Sequence, residues 1–311
     1  MKLELYAKSV LLIIFCTRAS VLAQSVPNTS TRSTDPTIPR SSDAVPYKTT
    51  TSFTGQIPSR DIQEKFLLTA DIVSRKPTSV GTTHTEKAKM SDGRLAHDAH
   101  IQCLDEYRPI FRGKNGTVEK NFRDTYKFNI AAYRLDKVLN LNMIPVSVER
   151  EVDGKQCSLT WWVDDVKMSE EERRDKQIKA PADQSWIDQL NKVRVFDQLI
   201  YNTDRNQGNL LITNDWKLWM IDHTRAFRTS HALLKPDALM RCDYNLLAGM
   251  KKLNAARLTK DLAPYVRPEE ITALLARRDV IVKFFDSQVR TKGDDSVLTG
   301  IPRSTPVVSI P

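Results

Sequence analysis

The sequence predicts an α+β protein of two lobes, a small antiparallel-sheet lobe with one helix followed by a mainly helical large lobe. Three observations predict it. Residues 62–166 read as short extended segments around one stretch of helical spacing. From residue 186 onward, apolar residues recur at helical spacing instead. Within that second part, a polar loop and a two-strand hairpin interrupt the helices at 202–221.

In the small lobe, Leu95–Leu104 alternates imperfectly, and Arg108–Phe111 is a short extended piece that ends at Arg112 and Gly113. Asp124–Leu141 takes helical spacing, with Phe128, Ile130, Ala131, Ala132, Leu135, Val138 and Leu139 on the apolar face and Asp124 as the expected N-cap. Two strands follow, Ile144–Val152 and Cys157–Val163, joined by a turn at Asp153-Gly154. Ser169–Lys179 is charged, and its run Glu170–Arg174 reads as a solvated helix face. Ser185 is the expected cap of a helix from Trp186, whose Ile187, Leu190, Val193, Phe196, Leu199 and Ile200 keep helical spacing. After the loop, Leu210-Leu211-Ile212 is a short apolar strand, and Asn214-Asp215 turns the chain into a second one, Trp216–Ile221. His231 to Val289 reads as mainly helical, including Leu246–Leu253 and Glu269–Arg277, and no internal repeat is present.

The flanks differ from this core. Residues 1–23 have a basic start, an apolar run through Val10–Phe15 and a Val21-Leu22-Ala23 ending, the pattern of a cleavable signal peptide. The apolar run is too short for a stable membrane span, so a secreted or periplasmic location is expected. Residues 24–61 are rich in Ser, Thr and Pro and read as a disordered linker; residues 291–311 read as a flexible tail. This leaves 62–166 as the small lobe and 167–290 as the large one. Of four cysteines, three follow the signal segment, Cys103, Cys157 and Cys242. The count allows one disulfide with one thiol left over, and the spacing excludes a zinc knuckle. The formal charge of +9 is spread among mixed acids, without a basic run interleaved with aromatics. That argues against a nucleic-acid partner and for a surface that favours acidic or phosphorylated ligands.

The chemistry concentrates in Tyr201–Asn209 and Met220-Ile221-Asp222. Phosphoryl transfer needs a carboxylate near the attacking hydroxyl and oxygen ligands for magnesium beside the phosphates. Asp204 can accept or orient the hydroxyl proton, and Arg205 can orient the loop. Asn209, five residues on, matches the Asp-to-Asn spacing of kinase catalytic loops. Asp222, at the end of the hairpin's second strand, is placed for the second metal ligand. No Gly-x-Ser-x-Gly elbow is present, which argues against a hydrolase of the α/β type.

These segments carry a resemblance. Thr203-Asp204-Arg205-Asn206-Gln207-Gly208-Asn209 resembles the Asp-Arg-His-x-x-Asn loop of phosphatidylinositol kinases and HipA-type kinases. Asp222-His223-Thr224-Arg225-Ala226-Phe227 is similar to the Asp-His-Gly-Arg-Gly-Phe segment of the secretory-pathway Fam20 kinases. Asn129-Ile130-Ala131-Ala132-Tyr133 resembles the Glu-x-Ala-Ala-Tyr helix of bacterial proteins of the same superfamily. The resemblance covers about residues 105–230. It implies a protein-kinase-like fold, ATP as donor, catalytic Asp204 and metal-binding Asn209 and Asp222. Together with the residue reading this gives the expectation of Mg or Mn as the metal, Arg205 as a further catalytic-loop residue, and a hydroxyl of a protein or small molecule as acceptor.

The chain departs from this pattern where phosphate is gripped. Phe111-Arg112 stands where Phe-Lys is expected, with Lys114 as an alternative phosphate contact, and Asn129 stands where the helix should carry Glu. Val80-Gly81-Thr82 is the nearest thing to a glycine-rich loop. A secreted pseudokinase that acts as a binding or scaffold module is therefore the alternative. Val163, at the crossing between lobes, reads equally as an adenine cradle or as packing. His97 and His100 lack a third ligand and read as surface or strand histidines rather than a metal site. His223 reads as a brace for the loop or as core; Arg225 reads as a phosphate contact or half of an internal ion pair.

Overall fold

The computed structural model describes residues 57–78, 85–113, 116 and 118–300. The expected signal peptide, most of the expected linker, Val80-Gly81-Thr82, Lys114 and the end of the expected tail lie outside the described residues.

The first element is a helix that the sequence reading missed, α1 (Arg60–Thr69). It begins inside the expected linker and buries only Gln63, Phe66 and Leu67, a stripe too narrow to stand out next to Ser/Thr/Pro-rich sequence. Strands β1 (Asp71–Pro77), β2 (Glu86–Ser91) and β3 (Ala96–Gln102) follow, then the hairpin β4 (Asp105–Arg112) and β5 (Val118–Thr125). Helix α2 (Lys127–Leu139) leads to β6 (Ser147–Val152) and β7 (Lys155–Trp161). Five of these strands form one antiparallel sheet, ordered β1-β2-β3-β7-β6. Alternation puts Ala88, Met90, Ala99, Ile101, Leu159 and Trp161 into the core shared with α2. The Asp153-Gly154 turn closes β6 onto β7 with both residues at positive φ, 51° and 75°, as a two-residue primed turn requires.

The expected cap and bounds of α2, Asp124–Leu141, are corrected. Asp124 does not cap it, because 122–125 pair with β4 (Asp124 opposite Glu106) and the helix starts at Lys127. At its end, Asn140 adopts the left-handed conformation, φ 52°, and its N–H closes on Asp136 and Lys137 carbonyls. Asp136 is fully buried and anchors the turn that follows: it accepts from Arg60 Nη1 (2.6 Å) and from the N–H groups of Met143 (2.8 Å) and Ile144 (3.1 Å). Burial nevertheless leaves its carboxyl above the ordinary range.

Among the described residues one disulfide, Cys103–Cys157, continues the β3–β7 register by one residue beyond Gln102 opposite Ser158. Cys242 is the free, buried thiol among the described residues. The bridge closes a loop across 54 positions, which corresponds to a stabilisation of about 2–4 kcal/mol. We expect Cys103→Ser to lower the unfolding free energy by that amount and to raise the m-value, because the freed unfolded chain exposes more surface; an unfolding free energy equal to wild type would show that the bridge is dispensable.

From Trp161 the chain crosses at 162–165 into the large lobe. There β8 (Val166–Ser169) pairs with β9 (Leu210–Thr213), and β9 with β10 (Leu218–Met220). Between them lie α3 (Glu170–Asp175) and α4 (Gln184–Ile200). The expected solvated face on α3 is corrected: Glu170 is buried and receives both Arg173 (2.6 Å) and Arg174 (2.9 Å). Helix α4 starts two residues earlier than Trp186, because Asp183 rather than Ser185 caps it, accepting from Trp186 N (3.0 Å). The remainder is β11 (Cys242–Asp243), α5 (Tyr244–Lys251), α6 (Ala255–Leu262), α7 (Pro268–Lys292), α8 (Asp294–Val297) and β12 (Leu298–Thr299). The start of the expected flexible tail is thus structured, with β12 paired to β11.

The β4–β5 hairpin stands apart from the five-stranded sheet. It is held to large-lobe residues by Arg123–Glu270 (2.7 Å), Arg228–Glu119 (2.7 Å) and Arg225–Asp124 (2.7 Å), and Arg267 lies over the Tyr107 ring at 4.8 Å.

Candidate active site

Helix α4 ends because Tyr201 turns left-handed (φ 51°), and its N–H bonds the Asp197 and Gln198 carbonyls. Asn202 then ties the loop down: its amide donates to Asp197 Oδ1 (3.1 Å) and its Oδ1 accepts from Asp204 N (3.1 Å). Asn206 caps the following turn by accepting from Asn209 N (3.1 Å). These bonds are all short-range and hold the loop locally.

Arg205 points inward and joins the parts. Its guanidinium bonds Asp197 (2.9 and 3.2 Å), the carbonyls of Asn209 (2.9 Å) and Ile221 (2.8 Å), and His223 Nε2 (2.9 Å). Because Arg205 only donates, His223 accepts through Nε2 and is neutral. Burial, assisted by the Arg205 charge, holds the His223 pKa well below its usual value. Asn129, on α2, accepts the backbone N–H of His223 at 2.8 Å. Asn129 therefore stands beside the 222–225 segment.

The expected site residues come together in part. Asp204, Asn209 and Asp222 sit on the loop and at the exit of β10, joined by Ile221 N to Asn209 O (3.1 Å). The Asn209 amide nitrogen donates to Asp204 O (3.1 Å), and no hydrogen bond from a described residue reaches its Oδ1. Asp222 is exposed, with φ 53°, a left-handed conformation that aspartate tolerates better than most residues. Its Oδ1 accepts from Thr224 (3.1 Å), and no hydrogen bond from a described residue reaches Oδ2. One carboxylate oxygen and one amide oxygen make a hard-donor pair that suits Mg or Mn. Asp204 is half-buried. Burial raises its pKa above the ordinary carboxylate value, Arg225 opposes this, and Asp222 and Asp124 add to it.

Arg112 and Val163 lie elsewhere. Arg112 is exposed at the end of β4, outside the five-stranded sheet. The core-facing positions of β3 are His97, Ala99 and Ile101, none of them a lysine. Val163 follows β7 at the crossing and lines a cavity of about 490 Å³ with Trp161, Trp219, Lys217 and Pro145; none of Asp204, Asn209 and Asp222 lines it. His97 is packed rather than free to ligate, stacked on Trp161 (3.6 Å) and bonded to Asp164 (2.9 Å). Among the described residues no cluster of three or more His, Cys, Asp or Glu could hold a metal.

Sequence reasoning missed Asp197 and Asp124 as partners of Arg205 and Arg225. Asp197 carried a signal, since it precedes Arg205 by eight residues on a helix that ends at the loop. Asp124 carried none, because its partner is 101 residues away.

No protein-family model matches the chain, and no curated protein matches its sequence. Solved structures match its fold. A Fam20 structure from hydra with sugar superposes with a TM-score of 0.56 at 16% identity, covering 76% of this chain and 90% of that one. The Golgi casein kinase gives 0.55 at 14% identity, covering 77% and 78%. Its form with Mn/ADP bound gives 0.55 at 14% identity, covering 80% of each chain. This chain has the two-lobed protein-kinase-like fold, as the Fam20 and Golgi casein kinase structures do.

Proposed function

We propose that this chain is an exported, ATP-dependent phosphotransferase that modifies a hydroxyl on a protein or small molecule, with Mg or Mn. The observation that carries the proposal is the Asp204/Asn209/Asp222 set on a helix, loop and hairpin within this fold. Asp204 takes the hydroxyl proton as the new oxygen–phosphorus bond forms and the bond to the leaving diphosphate breaks. Its raised pKa makes it a better proton acceptor than an exposed aspartate. Asn209 Oδ1 and Asp222 Oδ2 hold the divalent ion, whose chemistry is to neutralise charge on the phosphates. Arg205 acts through the loop as a positioning residue.

Adenine lies, on this reading, against the Val163 crossing and the open face of the β9–β10 hairpin. Leu211 and Trp219 are cross-strand partners on that face and only half-buried, while Leu210, Ile212, Leu218 and Met220 are buried. Export is supported by the pattern of residues 1–23 and by the Cys103–Cys157 bridge, since disulfides persist in oxidising compartments. Among the described residues, no helix is long and apolar enough to cross a membrane.

The pseudokinase alternative rests on Asn129 in place of Glu and on the absence of lysine from β3. Thermal melting with ATP and manganese separates the two. We expect a metal-dependent rise in Tm for wild type that Asp222→Asn abolishes. No rise in wild type would favour the scaffold.

A further inference from the structure

The site as described holds a proton acceptor and two metal ligands, but phosphates also need a cation from the protein. Arg112 is exposed at the hairpin end, and β3 offers no lysine. Lys87, on β2, is paired with Asp98 (2.8 Å) and lies over the Trp162 ring at 4.1 Å. Arg225 is different. It follows Asp222 by three residues, and its Nη1 lies 3.5 Å from Asp204 Oδ2. Asp124 braces it from behind, accepting its Nε–H at 2.7 Å with a side chain only 3% exposed.

We propose that Arg225 is the phosphate-gripping cation of this site, held in position by Asp124, in place of a small-lobe lysine. The inference rests on the phosphotransferase reading above. Of the five N–H donors of its guanidinium, only Nε–H makes a hydrogen bond to a described residue. The Nη1 and Nη2 edge is left to form the two-pronged contact with phosphate that guanidinium favours. The brace is itself fixed, since Thr125 N donates to Thr224 O (3.0 Å) and locks the end of β5 to the 222–225 segment. Asp124 Oδ1 is buried with no hydrogen-bond partner, so the side-chain hydrogen bond of this carboxylate goes to Arg225. A phosphate arriving at Arg225 would also meet Asp204, the residue that must face the transferred group. The grip and the proton acceptor are thus adjacent, joined by one ion pair.

The test compares ligands that differ only in phosphate. Affinities of ATP, ADP and adenosine are measured by calorimetry with manganese for wild type, Arg225→Met and Arg225→Lys. We expect Arg225→Met to weaken ATP and ADP tenfold or more and leave adenosine unchanged, with Arg225→Lys in between. Equal ATP affinity in Arg225→Met and wild type would overturn the assignment and leave the phosphotransferase reading standing. Wild type that binds neither ATP nor adenosine would remove both. If Arg225→Met does not fold, Arg225→Lys decides: a loss confined to the phosphorylated ligands supports the assignment, and unchanged affinity overturns it.

Discussion

Asp204→Asn is expected to reduce phosphate transfer by about 10²–10⁴-fold, the usual contribution of a positioned proton acceptor, while nucleotide affinity stays within a few-fold of wild type. The amide keeps the shape of the side chain and the Asn202 bond to the Asp204 backbone, so the loop should survive. What disappears is the proton acceptor. The pH profile gives an independent readout. Burial places the Asp204 pKa above the ordinary carboxylate value of 3.8, and the base works only when ionised. Activity should therefore be full above the raised pKa and fall as pH drops through it, at a higher pH than an exposed aspartate would give. A wild-type profile flat down to the ordinary carboxylate range, or an Asp204→Asn variant that retains full kcat, would exclude Asp204 as the base.

Arg277→Met is expected to be the most destabilising single change, by about 3–5 kcal/mol, or roughly 10 °C in Tm. Arg277 is fully buried on α7. Its Nε donates to Leu199 O (2.9 Å), and its Nη1 to Arg228 O (2.8 Å) and to Ser230 O. Those carbonyls belong to the end of α4 and to the segment that follows the 222–227 turn, so one side chain closes the base of the site. Two effects compete. Removing the guanidinium relieves the cost of burying a charge, which is large enough to push its pKa down to about 10. It also strands buried carbonyls, and charge-assisted bonds of this kind are worth about 1.5–3 kcal/mol each. Three such bonds outweigh the relief. Chemical denaturation of the variant checks this, and a midpoint within about 1 kcal/mol of wild type would show that desolvation wins.

What the sequence made legible follows the range of the interaction. Helix α2 and the β6–β7 turn declare themselves locally, by apolar spacing from Phe128 to Leu139 and by Asp153-Gly154. That Asp204 and Asn209 share one loop was legible from their five-residue spacing after a helix. Boundaries were less so where two capping residues compete, as Asp183 and Ser185 do before α4. Asp124 was misread because helical spacing extends backward into residues whose backbone bonds go to β4. No local rule can see a strand partner in advance. The same holds for Arg225: its charge was visible, but its brace is 101 positions away. Glu170 failed for a related reason, since the charged run Glu170–Arg174 reads as solvated until the fold turns one of its residues inward.

The β4–β5 hairpin has a consequence for traffic through the site. By chain order it belongs to the small lobe, yet three arginine ion pairs fasten it to the large one. Two-lobed proteins can open and close around ligands by hinge motion. A hairpin fastened in this way stays with the large lobe when the five-stranded sheet moves, because leaving would pull the buried Arg123–Glu270 pair out of the interior. It forms a stationary rim, on which Asp124 keeps Arg225 in place. A ligand would then enter past a fixed lip, with the sheet as the part free to move.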